Sequence, residues 1–128
     1  MNETEIEELK IKVKKAREVY NQWPDGIKRD CQILRALKSG EMHNWFVCCN
    51  VFHMSSEKLG EYWDKVKQNK EYIDNLTKHN KEYIEFTKEE KTLSHAVTES
   101  QIANGRKFSK LQLVLFGFNI EYAEAHGT

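Results

Sequence analysis

Four residues in one short stretch carry the side chains that zinc prefers in tetrahedral sites: His43, Cys48, Cys49 and His53. Their spacing matches no established zinc pattern. A helix and a strand would each put Cys49 and His53 on one face, and a helix would turn Cys48 away from them. Because free cysteine is commonly a small core residue, we expect buried structural thiols and no metal or other cofactor. Whether the four residues bind a metal stays open at this point.

Covalent or acid–base catalysis would need other combinations. A cysteine nucleophile could draw a base from four histidines: His43, His53, His79 and His95. No local signature surrounds any cysteine, however. Glu89 and Glu90 could act as acid and base, but they lie in a lysine-rich segment that is typical of a solvated helical face. The six glycines form no phosphate-binding loop. We therefore predict that the chain is not an enzyme.

One basic cluster lies near the end of the chain. Arg106, Lys107 and Lys110 surround Phe108 and have no acidic residue close to them in sequence. Cationic and aromatic side chains together can bind phosphates and stack bases. This cluster is the predicted contact for nucleic acid or phosphate, if the protein has one.

Aromatic residues on charged helices are the other notable feature. Tyrosine and tryptophan dominate binding hot spots, which favours Trp63, Tyr72 and Tyr83 as a partner-binding face. The alternative is that most of the aromatic side chains fill the core, where they provide the largest burial energies.

The first 40 residues predict a helical hairpin. Apolar residues recur there every three or four positions, as on one stripe of a helix: Ile6, Leu9, Val13, Ala16, Tyr20 and Trp23. Thr4 and Glu7 fit a capping box at the start of this helix. Pro24 should end it, because proline lacks an amide proton. Gly40 should end the second helix.

A long amphipathic helix is predicted next. Ser55 or Ser56 could cap it, and its apolar positions continue to Tyr83. Asn69 and Asn80 interrupt the apolar seam. Asn104–Gly105 marks a later break.

Two apolar segments, 42–54 and 108–124, fit a helix or a strand nearly equally well. We favour helices, which gives a mainly α fold with the hairpin and the long helix in a small bundle. The alternative is an α+β fold with strands near 44–53 and 111–122. Because residues 108–124 are the most apolar part of the chain, they must be buried or bind a partner.

Length and composition narrow the remaining choices. A chain of 128 residues fits a single domain over 1–128. The 20 basic and 20 acidic residues balance, so no overall field favours nucleic acid or a membrane surface. No apolar stretch could span a bilayer, and the acidic start is unlike a secretory signal. Three cysteines suit a reducing compartment, so a cytoplasmic location without membrane contact is expected.

The segment from Ala16 to Arg29 resembles a motif near the start of many small accessory proteins of tailed bacteriophages, roughly A-x-x-V-x-x-x-W-P-x-W-K-R. The matching residues are Ala16, Val19, Trp23, Pro24, Lys28 and Arg29. Gly26–Ile27 replaces the second tryptophan and adds one residue. The resemblance covers about a tenth of the chain. It implies a phage or prophage origin and a life inside a bacterial host cell, and it implies no chemistry.

These observations favour a phage-encoded accessory protein that binds a bacterial host protein and inhibits or redirects it, for example an anti-defence, anti-CRISPR-like inhibitor. The alternatives are a DNA-binding regulatory protein and a small-ligand sponge. An unfilled apolar stripe can also pair between copies, so a homo-oligomer is a further option.

Overall fold

The computed structural model describes all 128 residues and contains seven α-helices and no β-strand. The helices are α1 (Glu3–Asn21), α2 (Asp25–Ser39), α3 (Met42–Phe52), α4 (Ser56–Val66), α5 (Lys70–Ala103), α6 (Lys110–Leu115) and α7 (Ile120–His126). The mainly α prediction is confirmed, and the α+β alternative is wrong. None of the helices has both the length and the apolar content needed to cross a bilayer.

The segment 44–53 is helical because its burial follows helical spacing. Cys48 and Cys49 are buried in α3, and Trp45 and Phe52 pack partly buried against the same core. Trp45 lies three and four residues before the two cysteines, and Phe52 lies four and three residues after them, so all four share one face of a helix. Cys48 therefore does not point away from Cys49 as predicted. A strand would have put Cys49 on the same face as Val47, which is exposed.

The segment 111–122 forms two short helices because caps and a glycine interrupt it. Ser109 and Gln112 form a capping box at the start of α6. Asn119 caps α7 by accepting a hydrogen bond from the amide of Tyr122 at 2.6 Å. Between the two helices, Gly117 has φ +91, a conformation that side-chain-bearing residues rarely adopt.

The predicted long helix after Ser55 is wrong in one respect, because it is two helices. Ser55 caps α4 as expected, accepting a hydrogen bond from the amide of Lys58 at 3.2 Å. The helix ends at Val66, and Asn69 then caps α5 by accepting from the amide of Tyr72 at 3.1 Å. The helix α5 continues to the predicted break, where Gly105 has φ +90.

The chain forms two compact units. One comprises residues 20–84, and the other combines residues 1–19 with 85–128, so each of α1 and α5 contributes to both. The core of the 20–84 unit consists of Cys31, Ile33, Leu34, Ala36, Cys48, Cys49, Leu59, Trp63 and Leu76. In the other unit, Phe108, Leu113, Phe118 and Ala123 form a buried cluster beneath α6 and α7. The single-domain prediction stays a prediction.

Candidate functional site

The helix α6 and the residues that follow it present a surface of large apolar side chains. Only Leu113 of α6 is buried. Leu111 is 68% exposed and Leu115 is 73% exposed, the two largest values for any apolar residue. The α6–α7 surface consists of Leu111, Val114, Leu115, Phe116 and Ile120. Large apolar side chains exposed together in one short segment are typical of interaction sites.

A groove of about 710 Å³ borders this surface within the same unit. Leu115 and Phe116 form one wall, and Val13 of α1 and Val97 of α5 contribute to the lining. The groove is large enough to accept apolar side chains from a partner.

Arg17, Glu90 and Lys91 are the charged residues that line the groove. Arg17 bonds Glu90 at 2.5 Å, Lys12 bonds Glu89 at 3.0 Å on the same two helices, and Lys91 belongs to no ion pair. An apolar centre with charges of both signs at the edge is the usual anatomy of a protein interface. The same ion pairs place the carboxylates of Glu89 and Glu90 against cations of α1.

Aromatic rings support the surface from below. The ring of Phe118 stacks on the rings of His95 and Tyr122, with ring centres 4.1 Å and 4.5 Å apart. The ring of Tyr122 stacks in turn on that of His126, with ring centres 4.1 Å apart. The Nε2 atom of His95 also lies 3.1 Å from the carbonyl oxygen of Phe116. These contacts fix the turn between α6 and α7, and a surface that is already ordered loses less entropy on binding.

The three cations of the predicted basic cluster lie in different surroundings in the structure. Lys110 bonds Glu124 at 3.1 Å, so folding brings an acid to a cation that has none nearby in sequence. The guanidinium carbon of Arg106 lies 4.7 Å from the centre of the Phe108 ring, which leaves Lys107 as an exposed cation beside it. One paired lysine reduces the positive charge that this cluster could offer to phosphates.

The three aromatic residues predicted as a contact face do not form one surface. Trp63 is only 8% exposed and belongs to the core of the 20–84 unit, so it lies beneath the surface and its role as a contact residue stays a prediction. A tryptophan with this much apolar area gains most when water is excluded from it. Tyr72 is half-buried and donates its hydroxyl hydrogen bond to Asp30. Tyr83 lines a separate cleft in the same unit.

Asp30 is a buried carboxylate that the sequence analysis did not single out. It is 3% exposed and accepts hydrogen bonds from the hydroxyls of Tyr62, at 2.7 Å, and Tyr72. The Nε of Arg29 lies 3.4 Å from the same carboxylate. Burial, followed by the hydrogen bonds to Asp30, raises the pKa of both tyrosines. The network is a fully paired structural one that joins α2, α4 and α5 within the 20–84 unit.

The candidate metal ligands are not brought together. Cys48 and Cys49 are buried in the core, whereas His43 and His53 are exposed. No three histidine, cysteine, aspartate or glutamate side chains lie where they could hold a metal ion. Burial raises the pKa of Cys48, and it raises that of Cys31 to about 11, which keeps both thiols protonated and poorly nucleophilic at neutral pH.

A local signal for the α6–α7 surface was present in the sequence. The cap at Ser109 and the glycine at position 117 bracket a helix too short to bury all of its apolar residues. Comparison with known proteins gives no further guide, because no family model, no curated protein and no solved structure matches this chain.

Proposed function

We propose that this chain is an accessory protein that binds a bacterial host protein through the α6–α7 surface and thereby inhibits or redirects it. The observation that carries the proposal is the exposure of five large apolar side chains on α6, the turn after it and the first residue of α7. Such a surface is costly to leave in water unless a partner covers it. The resemblance of Ala16–Arg29 to phage accessory proteins supports a bacterial host as the source of that partner.

The chemistry of the surface favours a protein over a nucleic acid. Its centre is apolar, and of the two cations that line the groove, Arg17 is paired with Glu90. Lys91 is the other, and a single unpaired cation provides little of the positive charge that binding to several phosphates requires. A partner segment with two or three apolar anchors and a polar rim matches the groove best.

The exposed fractions of the leucines give the expected contribution of the surface to the binding free energy. Burying a leucine completely is worth about 1.5–3 kcal/mol. Because Leu111 and Leu115 are 68% and 73% exposed, a partner that covers them gains about two-thirds of that from each, or about 2–4 kcal/mol together. Replacing both leucines with serine should therefore weaken binding at least about tenfold.

The test is affinity capture from a bacterial lysate with three forms of the protein. The forms are the wild type, the double variant Leu111→Ser and Leu115→Ser, and the control Ile11→Ser, which changes an exposed apolar residue of α1 in the same unit. We expect the wild type and the control to retain the same partner and the double variant to lose it. Circular dichroism confirms that each form is folded.

Three outcomes would overturn the proposal. Equal capture by the wild type and the double variant would exclude the α6–α7 surface. Equal loss in the double variant and Ile11→Ser would show a general effect of apolar area. A wild-type dimer in light scattering that the double variant dissociates would show that a second copy of the chain, and not a host protein, covers the surface.

A further inference from the structure

Arg35 of α2 is a half-buried cation that has no counter-ion. Its Nη1 donates a hydrogen bond to Oδ1 of Asn80 at 2.8 Å, and its guanidinium carbon lies 4.1 Å from the centre of the Tyr83 ring. None of the ion pairs in the structure includes it. Placing a guanidinium in a partly dry environment without a carboxylate is costly, and most of its five N–H donors are left for another acceptor.

The surroundings of Arg35 form a cleft of about 410 Å³ in the 20–84 unit. Gln32 and Asn44 contribute amide groups to its lining, and Tyr20 and Tyr83 contribute aromatic rings. No acidic side chain lines it, so the charge of Arg35 is not offset inside the cleft. The volume is that of a small-molecule site, and the lining is more polar than apolar, which suits a charged or polar ligand.

Asn80, which accepts the hydrogen bond from Arg35, is itself a buried amide. It is 4% exposed, and its Nδ2 has no hydrogen-bond partner. Arginine can only donate, so the amide oxygen must face Arg35 and the NH₂ group must point elsewhere. An unpaired buried donor is costly and rare in folded proteins. Here the cost accompanies a contact that holds the guanidinium in place, as is common where polar groups serve binding.

We propose that this cleft binds a small organic molecule that carries a carboxylate or phosphate group. The planar guanidinium of Arg35 would bind two oxygens of the anion side by side, which is the geometry that arginine offers and lysine does not. Gln32 and Asn44 would bond the polar part of the ligand, and the rings of Tyr20 and Tyr83 would pack against its flat or apolar part. The site lies outside the α6–α7 surface and does not depend on the function proposed above.

The test is a titration of the full chain in which NMR of the backbone amides detects binding. Inorganic phosphate and succinate are the probes, and succinamide, which has the same size as succinate but no charge, is the neutral control. Ionic strength is kept constant with chloride. We expect saturable shifts in residues 32–36 and 44–48 with phosphate or succinate and none with succinamide. The two anionic arms distinguish a phosphate-bearing ligand from a carboxylate-bearing one.

Variants test the role of the guanidinium. Arg35→Met should weaken binding at least about tenfold, and Arg35→Lys, which keeps the charge but loses the fork, should weaken it by about three- to tenfold. The matched control is Lys38→Met, which removes one charge from an exposed position on the same helix. The double variant of Leu111 and Leu115 should bind the anions as the wild type does.

The proposal is overturned if neither anion gives saturable shifts in the wild type. It is also overturned if Arg35→Lys binds as tightly as the wild type, or if succinamide shifts the same amides as succinate. Should Arg35→Met fail to fold, the wild-type shift map and Arg35→Lys still decide the question. Loss of host-protein capture with intact anion binding would refute the proposed function and leave this inference standing.

Discussion

Replacing Tyr72 with phenylalanine removes one hydroxyl and leaves the aromatic ring in place. In the folded protein that hydroxyl donates a hydrogen bond to the carboxylate of Asp30, which is 3% exposed. A hydrogen bond to a charged group contributes about 1.5–3 kcal/mol to stability. We therefore expect Tyr72→Phe to lower the free energy of unfolding by about 1.5–3 kcal/mol.

The other contacts of Asp30 are not sufficient to compensate. The hydroxyl of Tyr62 already donates to one carboxylate oxygen at 2.7 Å, and Arg29, whose side chain is 43% exposed, lies at 3.4 Å from that same oxygen. In the variant, the second oxygen would be left buried without its donor. The loss should therefore approach the cost of an unpaired acceptor next to a buried charge.

The assay is urea unfolding, followed by circular dichroism. The matched control is Tyr83→Phe, the same chemical change in the same unit at a hydroxyl that lines a cleft and lies outside the Asp30 network, and it should change stability by less than about 0.5 kcal/mol. Equal midpoints for Tyr72→Phe and the wild type would refute the reasoning, because the Asp30 network would then contribute nothing.

Other contacts give expectations for alkaline pH, for a glycine substitution and for thiol labelling. The pKa values of Tyr62 and Tyr72 are raised in the folded state, so the tyrosines of the unfolded chain lose their protons at lower pH. The free energy of unfolding should therefore be intact below pH about 10 and fall above it, and it should fall less steeply in a Tyr62→Phe and Tyr72→Phe double variant. Equal slopes in pH-dependent unfolding would contradict this. Gly117→Ala should lower the free energy of unfolding by about 1–3 kcal/mol in thermal unfolding, because φ is +91 and the new Cβ would lie 3.1 Å from Nε2 of His95. The control is Gly60→Ala in α4, where a new Cβ would contact nothing within 4 Å and the change should be neutral or stabilising. Iodoacetamide should label Cys31 far more slowly in the folded chain than in the urea-unfolded chain at pH about 8, because burial raises the pKa of this thiol to about 11. Mass spectrometry measures the labelling rate. Equal rates would show that the thiol is accessible in the folded chain.

Element boundaries set by local chemistry could be predicted from the sequence. Pro24 separates α1 from α2, and Gly40 follows α2 with φ +69. Ser55 caps α4, and α5 ends just before Asn104–Gly105. In each case the deciding force acts within a few residues, through a missing amide proton, a left-handed backbone or a side-chain cap.

Helix boundaries were harder to predict where two neighbouring residues could each act as the N-cap. The predicted capping box of Thr4 and Glu7 is wrong, because Asn2 accepts from the amide of Glu5 at 2.8 Å and the Glu5 carboxylate lies 3.3 Å from the amide of Asn2. Two boxes of nearly equal quality lie two residues apart. Asn69 was interpreted as a polar interruption inside a helix, although asparagine is also among the best N-caps.

The candidate site depends on tertiary packing, which the sequence pattern does not specify. Trp63 and Leu115 are both large and apolar, yet one is 8% exposed and the other 73%. The difference arises because α4 packs into a core with α3, whereas α6 buries only Leu113. Asp30 was missed for a related reason, since its partners Tyr62 and Tyr72 are 32 and 42 residues away in sequence.

Isothermal titration calorimetry of the captured host protein with the wild type and with Leu115→Ser tests whether the α6–α7 surface is the interface. We predict binding with a negative heat-capacity change, as expected for apolar burial, and a loss of about five- to thirtyfold in affinity for the variant. Unchanged affinity in Leu115→Ser, or binding without a heat-capacity change, would contradict an interface on the α6–α7 surface.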